Sequence, residues 1–272
     1  MLTYTYMFRP WRALLHFTRL NECTRYILHD SYKIKLMTSK AKAAPQSFQR
    51  QFAILLGATL ETWAHCLLNS RHLYPRETFQ STRFLGVQCR ACRHPGVVSY
   101  ISDTVRVAVP SLLSGVADTF CMAITTAGDD DHDDDGEKVI ERYTLRIVEI
   151  VKDWGENEDT TGVRMQEMER SMRDLVLSVL SLESERATAS DSVSFLLTLH
   201  FTEENRDCTE LNQAFANGTW FCPEQVSAAS EGSVSGGAQR ERIRPLHRVS
   251  TPSCVIDFAM RKIKDDRKAP PR

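Results

Sequence analysis

The sequence predicts an α+β fold: an antiparallel sheet with three main helices packed on one face. Two observations predict it. Three stretches repeat apolar residues at helical spacing, and several others alternate or concentrate β-branched residues as strands do. The two kinds of segment interleave without the regular strand–helix–strand rhythm of a parallel sheet. With 272 residues the chain is long enough for one large domain or two small ones and for a real core.

The elements follow in order. Residues 1–45 hold eight basic residues (Arg9, Arg12, Arg19, Arg25, Lys33, Lys35, Lys40 and Lys42) against Glu22 and Asp30. That composition fits a disordered extension, an upstream start with Met37 as the working one, or a transit peptide. From Ser47, Phe48, Phe52, Leu55, Leu56, Thr59, Trp63, Cys66 and Leu67 share one helix face. Pro75 disfavours helical geometry at Tyr74, so the helix is expected to stop there. Phe79, Phe84, Leu85 and Val87 read as an irregular segment or hairpin. A second helix starts near His94-Pro95, with Val97, Tyr100, Ile101, Thr104 and Ala108 on one face, and Pro110 is expected to kink or end it.

Residues 119–125 and 139–151 read as strands, rich in β-branched and aromatic residues. The acidic run "GDDDHDDDGE" between them lacks the spacing of a calcium loop and reads as a solvated connection. A third helix carries the stripe Met165, Met168, Met172, Leu175, Val176, Val179 and Leu180, opposite Arg164, Glu167, Arg170 and Asp174. Val193, Phe195, Leu197, Leu199 and Phe201 mark another strand. Residues 223–242 are small and polar, a linker, and residues 255–263 return to the fold as a strand.

Chemistry is sparse. The net charge of −1 favours neither nucleic acid nor an anionic membrane as partner, and sequence-specific nucleic-acid binding is not expected. No apolar run is long enough for a membrane helix. The eight cysteines are scattered, as buried free thiols are, and read as those of a reduced, intracellular protein. Cys89-Arg90-Ala91-Cys92, with His94 beyond, is one cysteine pair where a structural zinc needs two, and it lacks the setting of a redox motif. A zinc or redox protein is the alternative it raises. Nucleotide-binding and nucleophile-elbow motifs are missing. A binding module without catalysis, metal or cofactor is the expectation.

The run "LYPRETFQSTRFLGVQCRACRHPGVVSYISDTVRVAVPSLL", Leu73 to Leu113, resembles the HORMA family. The match is to its spindle-checkpoint-like branch, the accessory, non-catalytic subunits of translesion DNA polymerase zeta. The matching features are Tyr74-Pro75 closing the first helix, Phe79-Gln80, His94-Pro95, Tyr100-Ile101, Asp103-Thr104 and Pro110. The resemblance runs from about Ser47 to Ile263, within a domain expected at 46–272. It implies a core at about 46–205, a mobile C-terminal safety belt at about 206–265 and a polar tail at 266–272. In that family the belt closes over a partner peptide and docks as an edge strand.

By this resemblance the chain is an adaptor in translesion synthesis, DNA repair and the cell cycle. It is expected in the nucleus, and also in the cytoplasm. Its partner would be the catalytic subunit of the polymerase, bound through a short proline-containing peptide. Other HORMA proteins, or a second copy, are further partners. The peptide-binding residues implied are Tyr100, Trp220, Val255, Asp257 and Phe258, and Arg173 corresponds to a dimer-interface arginine. Ser81-Thr82 replace the basic residues that follow Phe-Gln in familiar members. A HORMA adaptor of the spindle checkpoint or the meiotic chromosome axis is the nearest alternative.

Overall fold

The structure, a computed structural model, describes residues 5–7, 48–126, 138–150, 158–182, 193–201 and 243–262. Three helices are present among them: α1 (Phe48–Ser70), α2 (Pro95–Ser114) and α3 (Glu158–Leu180). A six-stranded, wholly antiparallel sheet is built from β1 (Thr5–Met7), β4 (Ala117–Thr126), β5 (Lys138–Ile150), β6 (Val193–Phe201), β7 (Ile243–Ser250) and β8 (Cys254–Lys262). Its order is β1-β6-β4-β5-β8-β7. A separate hairpin joins β2 (Phe79–Phe84) to β3 (Val87–Cys92). The α+β class expected from the sequence is therefore the observed one. No helix of the described residues is long and apolar enough to cross a membrane.

α1 is the central helix, packed against α2, α3 and β3. That setting explains why most of its residues are buried, well beyond one stripe. Trp63 lies within it, edge-on to Phe258 at 5.9 Å and tilted against Phe120 at 6.0 Å. The methionine stripe of α3 is core: Met168, Met172, Leu175, Val176 and Val179 are buried.

Two helix ends and one strand differ from expectation, each for a physical reason. α1 stops at Ser70, upstream of Tyr74-Pro75. His72 takes a left-handed φ of 53°, its N–H bonds the Asn69 carbonyl, and the Leu73 N–H bonds the Leu68 carbonyl. This is a Schellman close, in which two late carbonyls are satisfied before proline can intervene. α2 runs one turn past Pro110 and ends on Gly115, at a left-handed φ of 76°. Pro110 and Arg106 are both exposed, so water can satisfy the carbonyl that proline leaves without a donor. β7, containing Pro245, went unrecognised in the sequence. It is the last strand of the sheet, where proline is tolerated, and a register shift falls between Pro245 and His247.

The β2–β3 segment is a tight hairpin. Leu85 and Gly86 both have positive φ, 47° and 80°, as a two-residue turn between right-twisted strands demands. Thr5–Met7 form a strand within the stretch expected to be a disordered extension.

Candidate functional site

The outer side of β6 is paired over only part of its length among the described residues. β6 lies between β4 and β1, and Phe195 to Leu199 are all buried. This replaces the simple alternation expected from the sequence: the strand is covered on both faces. β1 pairs only with the far end of β6, in the register Thr5↔His200, Tyr6↔Leu199 and Met7↔Thr198. Among the described residues no strand pairs with Val193–Leu197 on that side.

Tyr100 closes off the next position. Its side chain, 6% exposed, rises from α2, and its hydroxyl accepts the Leu197 N–H at 2.8 Å. Tyr100 meets the Phe195 ring edge-on at 5.4 Å, and Tyr74 meets the same ring at 6.4 Å. Burial pushes the Tyr74 phenol up to about 12, so it stays neutral. Tyr74, Tyr100 and Phe195 thus make an aromatic corner beside a stretch of backbone with strand-pairing capacity.

The other predicted site residues are not brought to this corner. Phe258 is a core side chain, 1% exposed under Trp63, and cannot hold a peptide without unpacking. Val255 and Asp257 lie half-buried on the opposite face of β8, where Asp257 pairs with Arg248 at 3.5 Å. β8 itself, expected as a docked edge strand, lies inside the sheet between β5 and β7. Its alternate residues Ile256, Phe258 and Met260 belong to the core, which needs sheet on both sides to be sealed. Arg173 is exposed on α3. Trp220, the linker 223–242 and the acidic run lie outside the described residues.

The CxxC does not form a chelate. Cys89 and Cys92 are three apart on a strand, so their side chains leave opposite faces. Cys89 instead meets Cys66 of α1; that thiol contact and burial push the Cys66 thiol up. Among the described residues no three of His, Cys, Asp and Glu gather as a metal site. A void of about 10 Å³ between α1 and the sheet, bordered by Leu60, Phe120 and Met172, is far below ligand size.

A buried ionic cluster escaped the sequence reading. Arg71, just past the end of α1, donates through Nε to the Tyr143 hydroxyl, and lies 3.2 Å from Glu141 Oε2. Tyr143 donates to the same carboxylate oxygen at 2.8 Å, and Arg71 Nη2 reaches Met260 Sδ at 3.3 Å. Burial pushes the Tyr143 phenol well above its usual range. The signal was present: Glu141 shares strand parity with Tyr143, Leu145 and Ile147, all of which point inward or partly so.

No protein-family profile matches the chain, and no curated protein sequence matches it. Solved structures do. C. elegans HTP-1 bound to a HIM-3 closure motif is 11% identical with TM-score 0.50, covering 79% of this chain and 91% of that one. C. elegans HTP-2 bound to a HIM-3 closure motif is likewise 11% identical with TM-score 0.50, covering 79% and 92%. A chain of a mitotic checkpoint complex is 15% identical with TM-score 0.49, covering 78% and 99%. At these identities the likeness is one of architecture, and the architecture of this chain is that of the HORMA domain.

Proposed function

We propose that the chain is a non-catalytic adaptor that pairs an extended partner segment with the outer edge of β6. The partner we propose is a short proline-containing segment of the catalytic subunit of DNA polymerase zeta. The setting is translesion synthesis and the DNA damage response, in the nucleus and also in the cytoplasm. The observation that carries the reading is that Val193–Leu197 of β6 have no paired strand on their outer side among the described residues, beside the aromatic corner of Tyr74, Tyr100 and Phe195. Backbone pairing supplies affinity in such β-augmentation, and side-chain surfaces beside it supply selectivity. Tyr74, the half-buried ring of this corner, offers an aromatic face on which a proline ring packs. The Leu73–Leu113 run supports the polymerase branch, and the two HORMA folds solved with a bound closure motif support peptide capture in general.

Fluorescence anisotropy with proline-spaced peptides tiled from polymerase zeta catalytic subunits tests this. Saturable binding is expected. Tyr100→Ala removes one ring of the aromatic corner and should weaken binding by about 1–3 kcal/mol, as loss of an aromatic anchor commonly does. Indifference of every peptide to this change would remove Tyr100 from the site. A second reading, an adaptor of the meiotic axis or spindle checkpoint, is favoured by the architecture of HTP-1 and HTP-2. It wins if closure-motif or checkpoint peptides are retained and the polymerase peptides are not.

A further inference from the structure

We propose that the chain carries its own ligand for this edge: the segment around Thr5–Met7 occupies β6 in cis and competes with any partner strand. This rests on the peptide-capture reading for its consequence, though the contact stands on its own geometry.

β1 pairs antiparallel with β6 through Thr5↔His200, Tyr6↔Leu199 and Met7↔Thr198. Backbone groups two residues apart on a strand point to the same side. The Leu197 N–H meets Tyr100 and so is directed away from β4; the Leu199 backbone shares that direction and faces β1. Tyr6 opposite Leu199 is therefore the hydrogen-bonded pair, exchanging both N–H···O bonds. The line of β1 ends at Met7↔Thr198, directly beside the position that Tyr100 closes. A segment from far away in sequence thus shares one edge with the aromatic corner, and the partner strand proposed above would have to run along the same line.

The sequence suits the role. "TYTYMF", residues 3–8, is rich in β-branched and aromatic residues, and Pro10 follows, which limits further pairing. Forty residues, 8–47, separate this strand from α1 in the sequence, and a strand held in the same chain meets β6 at an effective concentration on the order of 1 mM. A three-residue strand binds weakly. If its own affinity is about 0.1–1 mM, the tether lowers apparent affinity for a partner about 2- to 10-fold. That makes the edge guarded yet displaceable, and shields its unpaired backbone from aberrant strand addition.

The test uses the full chain, wild type and Tyr6→Pro. Proline removes the Tyr6 N–H and cannot make the Leu199 pair. Hydrogen exchange is read at the Leu199 amide. Protection in the wild type, lost in Tyr6→Pro, is expected; equal protection in both overturns the proposal. A labelled synthetic peptide of residues 1–12 is then titrated into each. It should bind Tyr6→Pro about 2- to 10-fold more tightly than the wild type; equal binding, or none to either, overturns self-occupancy. Replacing Thr5, Tyr6 and Met7 together by glycine should reproduce Tyr6→Pro, and a variant effect that glycine fails to reproduce counts against the proposal. The polymerase peptides separate the two ideas. If they bind neither form while Leu199 protection behaves as expected, the partner reading fails and the self-ligand stands. If they bind both forms equally, the self-ligand fails and the partner reading stands.

Discussion

Arg71 shows how much a single buried charge can decide. It is 6% exposed, and its guanidinium is held by Glu141, Tyr143 and Met260, from two different strands. Removing Arg71 leaves the buried Glu141 only the half-exposed Lys262 ammonium, 4.0 Å away, and breaking a buried pair in this way costs about 3–5 kcal/mol. Arg71→Ala and Glu141→Ala should each lower the urea midpoint accordingly. The double variant Arg71→Leu/Glu141→Met should lose far less than the two singles summed; strict additivity would show that the cluster does not act as a unit. His65 makes a second case. Burial holds its imidazole down at about 4, and its Nδ1 accepts the Cys92 N–H at 3.4 Å. The unfolded imidazole takes up a proton near pH 6.5, the folded one only near pH 4. Between those values the unfolded state binds more protons, so stability falls as pH falls, by about 3 kcal/mol across the window. Denaturant titrations at a series of pH values should show this loss in the wild type, with a flatter profile in His65→Gln. Parallel profiles would remove His65 as the cause.

The C-terminal hairpin of β7 and β8 is fastened to the helices by its inward side chains. Phe258 fits under Trp63, with Ile256 and Met260 on the same parity. If Phe258 is a core residue, Phe258→Ala should destabilise by about 3–5 kcal/mol in thermal or chemical melts. Peptide affinity lost without loss of stability would return it to the binding residues. Here the sequence reading erred instructively. It found the strand at 255–263 from its apolar content, yet an apolar strand reads alike at an edge and in the interior. The end of α1 makes the same point: a proline was visible, while the left-handed turn at His72 that closes the helix first leaves no mark in periodicity.

The sheet as assembled runs β1-β6-β4-β5-β8-β7, so the β6 edge and the C-terminal hairpin sit on opposite sides of it. Residues 202–242 join Phe201 of β6 to the first residue of β7. A belt closing over a peptide therefore has to be judged by kinetics: trapping slows release, so affinity gains should appear in the dissociation rate. A captured peptide also binds the folded state alone. At 100 times its Kd it should add about 2.7 kcal/mol and raise Tm, a shift readable by calorimetry. A peptide that binds in anisotropy yet leaves Tm unmoved would be attached elsewhere or to unfolded chain.

The helices, most of the strands and the α+β class were legible because periodicity is a local property, written in residues a few positions apart. The motif around Tyr100 singled that residue out, and the structure places its hydroxyl against β6. Which strands lie inside the sheet was not, because neighbours across a sheet are set by contacts between segments far apart in the chain. For that reason Phe258 turned out to be core, Glu141 found Arg71, and the edge of β6 emerged as the surface to test. Burial and pairing depend on what the rest of the chain brings alongside, and only the folded arrangement supplies that.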